Sequence, residues 1–115
     1  MKFTKEKANH FVKAGVSMWV YSTKEDCEAG SVVYQEVNGG HYEEFVNAKS
    51  AFIYYIIEGE GSFFIEDEEF KVKATDVIIV PAGKRFYYLG NMKQVLVTAP
   101  AWEESSETII RSVEH

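Results

Sequence analysis

The stretch DVIIVPAGKRFYYLGN, residues 76–91, decides the fold class of this chain. An apolar run ends at Pro81, a tight turn follows at Ala82 and Gly83, and basic and aromatic residues then lead to Gly90. Short apolar runs bounded by proline and glycine are typical of β-strands joined by turns. The stretch therefore predicts a strand, a turn and a returning strand.

Strands of the same kind account for most of the remaining sequence. Apolar and polar residues alternate in VSMWVYS, SVVYQEV and AFIYYIIE, and RFYYLG and KQVLVTAP follow as further predicted strands. A tight turn is predicted over 59–61 in EGEGSFF, and SFFIEDEEFKVK predicts a hairpin that turns at Asp67 and Glu68. Many short strands at close spacing, separated by turn residues, indicate an all-β barrel or jelly roll.

Both ends of the chain are more polar than its centre. Thr4 is a candidate N-cap and Gly15 a candidate stop, so the sequence predicts a short N-terminal helix over 4–14. The segment from Trp102 onward carries few apolar residues. It is predicted to be a C-terminal tail that packs across the barrel or against a neighbouring subunit.

Composition limits the function classes. The 115 residues fit a single domain, 1–115, and the net charge of −6 disfavours nucleic-acid binding, which needs a basic surface. With one cysteine, Cys27, no intrachain disulfide can form, and a reducing cytoplasm is predicted. No signal-peptide pattern or membrane-length apolar run occurs in the sequence. Aromatics reach 15%, which fits a barrel with an internal pocket.

The chain resembles the cupin family over roughly residues 32–100. YYIIEGEGSFFI resembles the strand and Gly-x-Gly turn of the first cupin motif, and the Pro81–Gly83 turn resembles the second. The resemblance implies a single-domain, jelly-roll β-barrel. At the positions where cupins carry a glutamate ligand and a second histidine ligand, this chain has Phe52 and Phe86. Phenyl rings cannot bind a metal, so the prediction is a metal-free cupin without a cofactor.

The alternation of side chains along a strand extends this comparison. If Phe52 points into the barrel, Tyr54 does too, and the same step from Phe86 places Tyr88 inside. His41 falls where cupins have their first histidine, with Glu43 nearby. The predicted pocket therefore holds an imidazole, two phenols and a carboxylate, a set suited to proton transfer.

A closer resemblance covers nearly the whole chain. FVKAG…VY, GGHYEEFVNAKSAFIYYIIEGEG, ATDVIIVPAGKRFYYLGNM and VLVTAPAW are similar to small metal-free cupin dehydratases that act on an oxidised nucleoside. This resemblance implies catalytic roles for His41, Tyr54, Tyr88 and Lys13. Substrate-binding roles are predicted for Glu43, Phe52, Phe86, Trp102 and Glu107.

Three classes of function remain open on the sequence alone. The leading hypothesis is a lyase that removes water from an oxidised nucleoside or sugar, and the alternative enzyme is a sugar-nucleotide isomerase. A non-catalytic module that binds a small molecule is the second class, and a metal-dependent cupin with unusual ligands the third. Plainer interpretations also exist: His41 as a loop histidine, the phenols as core residues and Lys13 as a solvated lysine. The predicted partners are a small-molecule substrate and, from the family resemblance, a second copy of the chain in a homodimer.

Overall fold

The computed structural model describes residues 1–114, which form one nine-stranded sheet. The strands are β1 (Asn9–Lys13), β2 (Val16–Val20), β3 (Ser31–Gly40), β4 (Glu43–Asn47), β5 (Ala51–Ile65), β6 (Glu68–Lys73), β7 (Val77–Val80), β8 (Phe86–Ala99) and β9 (Glu107–Ser112). Short 3₁₀ turns cover Lys5–Lys7 and Glu104–Ser106. The all-β prediction is confirmed. None of the helical segments within 1–114 is long and apolar enough to cross a membrane.

Strand β8 is the centre of the sheet. It pairs antiparallel with β3 along one side and with β5 along the other, while β5 also pairs with β6 and β7. Beyond β3 lie β2 and β1, and β4 joins β8 to β9. Strand β8 thus pairs with β3, β4 and β5. The twisted sheet curls around these strands, and its concave side is the inner face of the barrel.

The inner face follows the predicted alternation. Phe52, Tyr54 and Ile56 of β5 are all at most 4% exposed, whereas Tyr55 between them is 43% exposed. Tyr88 of β8 is also buried, at 1%. The strand interpretation of the sequence therefore placed Phe52, Tyr54 and Tyr88 correctly on the inner face, which Ile56 shares.

The predicted N-terminal helix is wrong. A 3₁₀ turn, Lys5–Lys7, is followed by strand β1, which pairs antiparallel with β2. Ala14 and Gly15 have positive φ, of 51° and 88°, and form the tight turn between these strands. A glycine that permits positive φ serves equally as a helix C-cap and as a hairpin turn, so Gly15 did not separate the two structures.

The predicted turn over 59–61 is also wrong, because β5 runs without interruption through it. A register shift between Ile56 and Glu58 bends the strand, and Gly59 has a φ of +90°. Gly61 faces Gly90 of β8, where a Cβ on either residue would meet the opposite backbone. These glycines allow the backbones of β5 and β8 to approach closely. The segments RFYYLG and KQVLVTAP, predicted as separate strands, belong to one strand, β8.

The predicted C-terminal tail contains strand β9, which pairs with β4. Its attachment is reinforced by Glu44, whose side chain is only 2% exposed and binds two arginines. Arg85 Nη1 lies 2.7 Å from Glu44 Oε2, and Arg111 Nε lies 2.9 Å from Glu44 Oε1. The pair of charge-assisted bonds joins β9 to the region between β7 and β8.

Candidate functional site

A cavity of about 620 Å³ opens between β1, β2, β3, β5, β8 and the segment before β9. Its wall is mostly apolar and aromatic, with polar groups from several strands converging on it, as in small-molecule sites. The structure brings seven of the predicted site residues to this wall: Lys13, His41, Phe52, Tyr54, Tyr88, Trp102 and Glu107.

His41 directly follows β3 and is 3% exposed. Gly39 and Gly40, with φ of 102° and 152°, turn the chain here, and the His41 backbone N–H donates to the Tyr88 carbonyl at 2.8 Å. The buried strand end therefore fixes the backbone of His41, which is not an exposed loop histidine.

The His41 imidazole is oriented by its own loop. Nδ1 lies 2.6 Å from the carbonyl oxygen of Glu43, and the Glu43 backbone N–H lies 3.3 Å from the same nitrogen. The carbonyl can only accept, so the shorter contact assigns the proton of a neutral ring to Nδ1. Nε2 is then the basic nitrogen.

Aromatic rings surround this imidazole. The Phe45 ring centroid lies 4.7 Å from that of His41, and the Tyr88 centroid lies 5.3 Å away. Phe86 and Phe52 extend the cluster behind Phe45, at 4.5 and 5.7 Å. Apolar surroundings disfavour a charged ring, while the Glu43 carbonyl favours a protonated Nδ1.

The phenols of Tyr54 and Tyr88 stand side by side, with ring centroids 5.6 Å apart. The Tyr88 hydroxyl donates to Gln35 Oε1 at 3.1 Å. Burial raises the pKa of both tyrosines well above the usual value for a phenol. Both side chains are therefore neutral donors and acceptors at ordinary pH.

Lys13, Glu107 and Trp102 form a second polar group at the wall. Lys13 Nζ lies 2.8 Å from Glu107 Oε2, and Trp102 Nε1 donates to Glu107 Oε1 at 2.8 Å. The lysine ammonium also lies 5.0 Å from the centre of the Trp102 ring, in cation–π range. The carboxylate and indole thus hold a charged amine at the cavity.

The residues at this site do not fit the metal that the cupin fold implies. Phe52 and Phe86 are buried rings packed 5.6 Å apart, and neither offers a ligand atom. Within 1–114, no group of three or more histidine, cysteine or carboxylate side chains is arranged to hold a metal ion. A transition metal normally needs three or four such donors.

Two predicted substrate-binding residues lie apart from the cavity wall. Phe86 packs behind it, against Phe45, Phe52 and Tyr54. Glu43 contributes its backbone carbonyl to the orientation of His41, and its side chain is not among those that line the cavity. The carboxylate that does reach the wall is Glu107, from the other end of the chain.

Gln35 is among the polar residues of the wall that the sequence interpretation missed. It is 1% exposed, and Oε1 accepts from both Tyr88 and Gln94, at 3.1 and 2.7 Å. Its signal was available, because SVVYQEV alternates and Gln35 falls in the inward row with Ser31 and Val33. A long polar side chain at a core-facing position is typical of a functional or fully bonded group.

The fold and sequence are similar to those of a solved nucleoside dehydratase, Pac13. The structural match has a TM-score of 0.95 and 36% identity, and covers 99% of this chain and 93% of that chain. Three further structures of the Streptomyces protein contain uridine and carry a His→Gln or a Tyr→Phe substitution. The substituted residues are spaced along that chain as His41, Tyr54 and Tyr88 are along this one.

More distant structures match in fold. The ectoine synthase of P. lautus has a TM-score of 0.77 at 14% identity, covering 100% of this chain and 93% of that one. A variant of Bacillus subtilis oxalate decarboxylase has a TM-score of 0.81 at 19% identity, covering 96% of this chain and 32% of that chain. Neither a protein-family model nor a curated protein sequence matches.

Proposed function

This chain belongs to the cupin family of the nucleoside dehydratase Pac13, and from that premise we propose that it removes water from an oxidised nucleoside without a metal ion. The observation that carries the proposal is the arrangement at His41. The Nδ1–H bond to the Glu43 carbonyl leaves Nε2 as a base, next to two neutral phenols in an aromatic cavity. This set is suited to abstraction of a proton beside a carbonyl group.

The first step is loss of a C–H proton. An aldehyde on the sugar acidifies the hydrogen on the neighbouring carbon, and His41 Nε2 accepts that proton. The imidazolium that forms is stabilised by its Nδ1–H bond to the Glu43 carbonyl, 2.6 Å long. The enclosing rings of Phe45 and Tyr88 exclude water from the base.

The negative charge then moves to the aldehyde oxygen, which needs hydrogen-bond donors. The Lys13 ammonium and the Tyr54 hydroxyl are the donors of the wall proposed for this role. Lys13 is held by Glu107 at 2.8 Å, and so is a fixed cation. Preorganised donors of this kind typically contribute about 10²–10³ to the rate.

Elimination completes the reaction. The hydroxyl on the next carbon leaves as the enolate collapses, and it takes its proton from the His41 imidazolium. One histidine serves both steps if the hydrogen and the hydroxyl leave from the same face of the sugar. All atoms and protons are accounted for: the substrate loses one hydrogen and one hydroxyl as water, and His41 returns to its neutral form.

The charge of the cavity mouth favours a nucleoside over a sugar nucleotide. Glu25, Glu103 and Glu104 line it, and Lys24 lies 3.9 Å from Glu103. A diphosphate group would meet these carboxylates with like charge. The isomerase alternative, which requires a sugar nucleotide, is therefore less favoured than the dehydratase.

A homodimer and a cytoplasmic location complete the proposal. The homodimer follows from the family resemblance, and Tyr55, Ile57, Val77 and Ile79 support it as a partly exposed apolar area on the outside of β5 and β7. The cytoplasm is supported by an exposed free thiol at Cys27.

Incubation with uridine aldehyde tests the function. Mass spectrometry should show loss of one water in the presence of the protein, and no change with thymidine-diphosphate keto-sugars. The isomerase alternative gives a product of unchanged mass from the keto-sugar, and a binding module leaves both compounds unaltered. Either of these results would replace the dehydratase with the corresponding alternative.

A further inference from the structure

Two buried glutamines, of which Gln35 lines the cavity, lie side by side and take no part in the proton transfers above. Gln35 of β3 and Gln94 of β8 are direct register partners, 1% and 0% exposed. The next inward pair along the same strands is apolar, Val33 opposite Leu96. Gln94 Oε1 is buried without a hydrogen-bond partner among residues 1–114. An amide pair here costs stability that an apolar pair would not, which points to a role beyond packing.

The bonds of Gln35 show what the pair does. Its Oε1 accepts from Gln94 Nε2 at 2.7 Å and from the Tyr88 hydroxyl at 3.1 Å. Turning the Gln35 amide over alone would bring its NH₂ group against the NH₂ group of Gln94, so Gln94 in its present orientation keeps the Gln35 carbonyl directed at Tyr88. Both lone pairs of that carbonyl oxygen are then in use.

The hydroxyl of Tyr88 has one proton and two lone pairs. Its proton is committed to Gln35. The lone pairs of Tyr88 therefore remain available to a ligand, and Tyr88 lines the cavity. Toward a ligand, Tyr88 acts as a hydrogen-bond acceptor.

We propose that Gln35, held by Gln94, is a positioning residue that directs the Tyr88 oxygen to accept a hydrogen bond from a hydroxyl group of the nucleoside sugar. The inference rests on the proposed function, since it takes the ligand to be a nucleoside. The hydroxyl is one that stays on the sugar, because an acceptor facing the departing hydroxyl would oppose its protonation. For an aldehyde at C5′, the acidic hydrogen is on C4′, the departing hydroxyl on C3′ and the retained one on C2′.

Such a contact makes the site selective for ribose. When a nucleoside without the 2′-hydroxyl binds, the buried Tyr88 oxygen has no hydrogen-bond donor from the ligand. The nucleoside therefore binds with lower affinity. Sites that hydrogen-bond a substrate hydroxyl reject the analogue lacking it far more strongly than apolar pockets do. We expect uridine to bind at least about ten-fold more tightly than 2′-deoxyuridine.

Calorimetric titration with uridine and 2′-deoxyuridine tests the inference without any turnover. In Gln35→Met, which has similar volume and no acceptor, the Tyr88 hydroxyl is free to rotate and the ten-fold preference should fall to within about three-fold. Gln35→Glu retains the acceptor and should restore the preference. Val33→Ala, one step along the same row, should weaken both ligands and keep their ratio.

The outcomes separate this inference from the dehydratase proposal. Equal binding of the two nucleosides by the wild-type protein overturns the inference, as does a preference that survives in Gln35→Met. If Gln35→Met does not fold, Tyr88→Phe decides, because removal of the acceptor itself must abolish the preference. A protein that prefers uridine through Gln35 yet releases no water from uridine aldehyde would retain this inference and lose the lyase.

Discussion

Lys13 and Glu107 form a 2.8 Å ion pair that joins the two edges of the sheet. Lys13 ends β1 at one edge, and Glu107 begins β9 at the other. The carboxylate is 10% exposed and also accepts from the Trp102 indole. A contact between residues so distant in the sequence fixes a cation at the cavity wall, although each residue taken alone resembles an ordinary surface charge.

Replacement of Lys13 by methionine should reduce turnover on the order of a hundred-fold, because the developing enolate loses its cation. The free energy of unfolding should change by no more than about 1 kcal/mol, since partly exposed ion pairs contribute little. Steady-state kinetics and denaturant unfolding measure the two effects. The control is Lys73→Met, which breaks an exposed ion pair with Asp76 at 3.3 Å and should leave turnover unchanged. A similar rate loss in both variants would contradict a specific role for Lys13.

Tyr54→Phe and Tyr88→Phe should fold normally and lose turnover by about ten- to a thousand-fold, because Tyr54 donates to the developing charge and Tyr88 holds the sugar in position. Each variant loses one hydroxyl, so the stability cost should be about 1 kcal/mol. The control is Tyr55→Phe on the outward face, where the side chain is 43% exposed. Kinetics equal to wild type in both inward variants would place the phenols in the core alone.

The same two tyrosines should make the fold sensitive to alkali. Burial raises the pKa of each phenol in the folded state, whereas in the unfolded chain it is about 10. Above that pH the unfolded state binds fewer protons than the folded state, so the free energy of unfolding falls as pH rises. The stabilisation is fully present below pH of about 10. Denaturant unfolding at pH values on both sides of 10 should show the fall, and Tyr54→Phe combined with Tyr88→Phe should reduce it.

The inward face of the barrel was predictable because a strand alternates with a period of two. Once Phe52 was placed inside, Tyr54 followed by geometry, and Phe86 placed Tyr88 in the same way. The ligand chemistry lost at Phe52 and Phe86 was likewise visible in the sequence. Local pattern therefore supplied the strands, and the cupin resemblance supplied the starting positions for the centre of the candidate site, Phe52, Phe86 and His41.

The remaining features could not be predicted from local sequence, because they depend on the conformation of glycines and on pairing between distant strands. Gly15 permits a helix stop or a hairpin, and Gly61 permits a turn or a close crossing of strands, so only the tertiary structure distinguishes them. The alternation of β3 shows that Gln35 points inward, but it does not show that Tyr88 and Gln94, both on β8, converge on its Oε1. Those convergences belong to strand register, which no local segment encodes.

Purified protein should contain no stoichiometric transition metal, and chelators should leave turnover unchanged. The physical reason is the donor set: at the two positions to which the cupin resemblance assigns metal ligands, Phe52 and Phe86 are buried phenyl rings. Elemental analysis after tag-free purification measures the content directly. One zinc, iron, manganese or nickel ion per chain, lost together with activity on chelation, would require a site that these residues do not suggest.

Activity should show an acid limb that His41 sets. A general base must be unprotonated, and a free imidazole titrates at about 6.5. Acidification protonates His41 Nε2 and removes the base, so the rate falls as pH drops through the pKa of His41 in the enzyme. A profile of kcat/KM against pH, with stability checked at each point, should contain this limb. A rate independent of pH from about 5 to 8 would contradict the role of His41, since only histidine ordinarily titrates there.

His41→Gln separates catalysis from binding most directly. Glutamine keeps a polar side chain of similar reach but has no basic nitrogen, so the fold and the affinity for uridine should stay near those of wild type while turnover falls at least about a hundred-fold. The Nδ1–H donor to the Glu43 carbonyl can be replaced by the amide NH₂ group, so the Glu43 carbonyl between β3 and β4 keeps a hydrogen-bond donor.

The matched control is His10→Gln. The His10 ring stacks on Trp19 outside the cavity, with ring centroids 4.1 Å apart, so its replacement should leave turnover intact. A binding module predicts the opposite result, in which affinity drops and no turnover exists to be lost. Conversion of uridine aldehyde at a near wild-type rate by His41→Gln would refute the histidine mechanism, whichever reaction the protein catalyses.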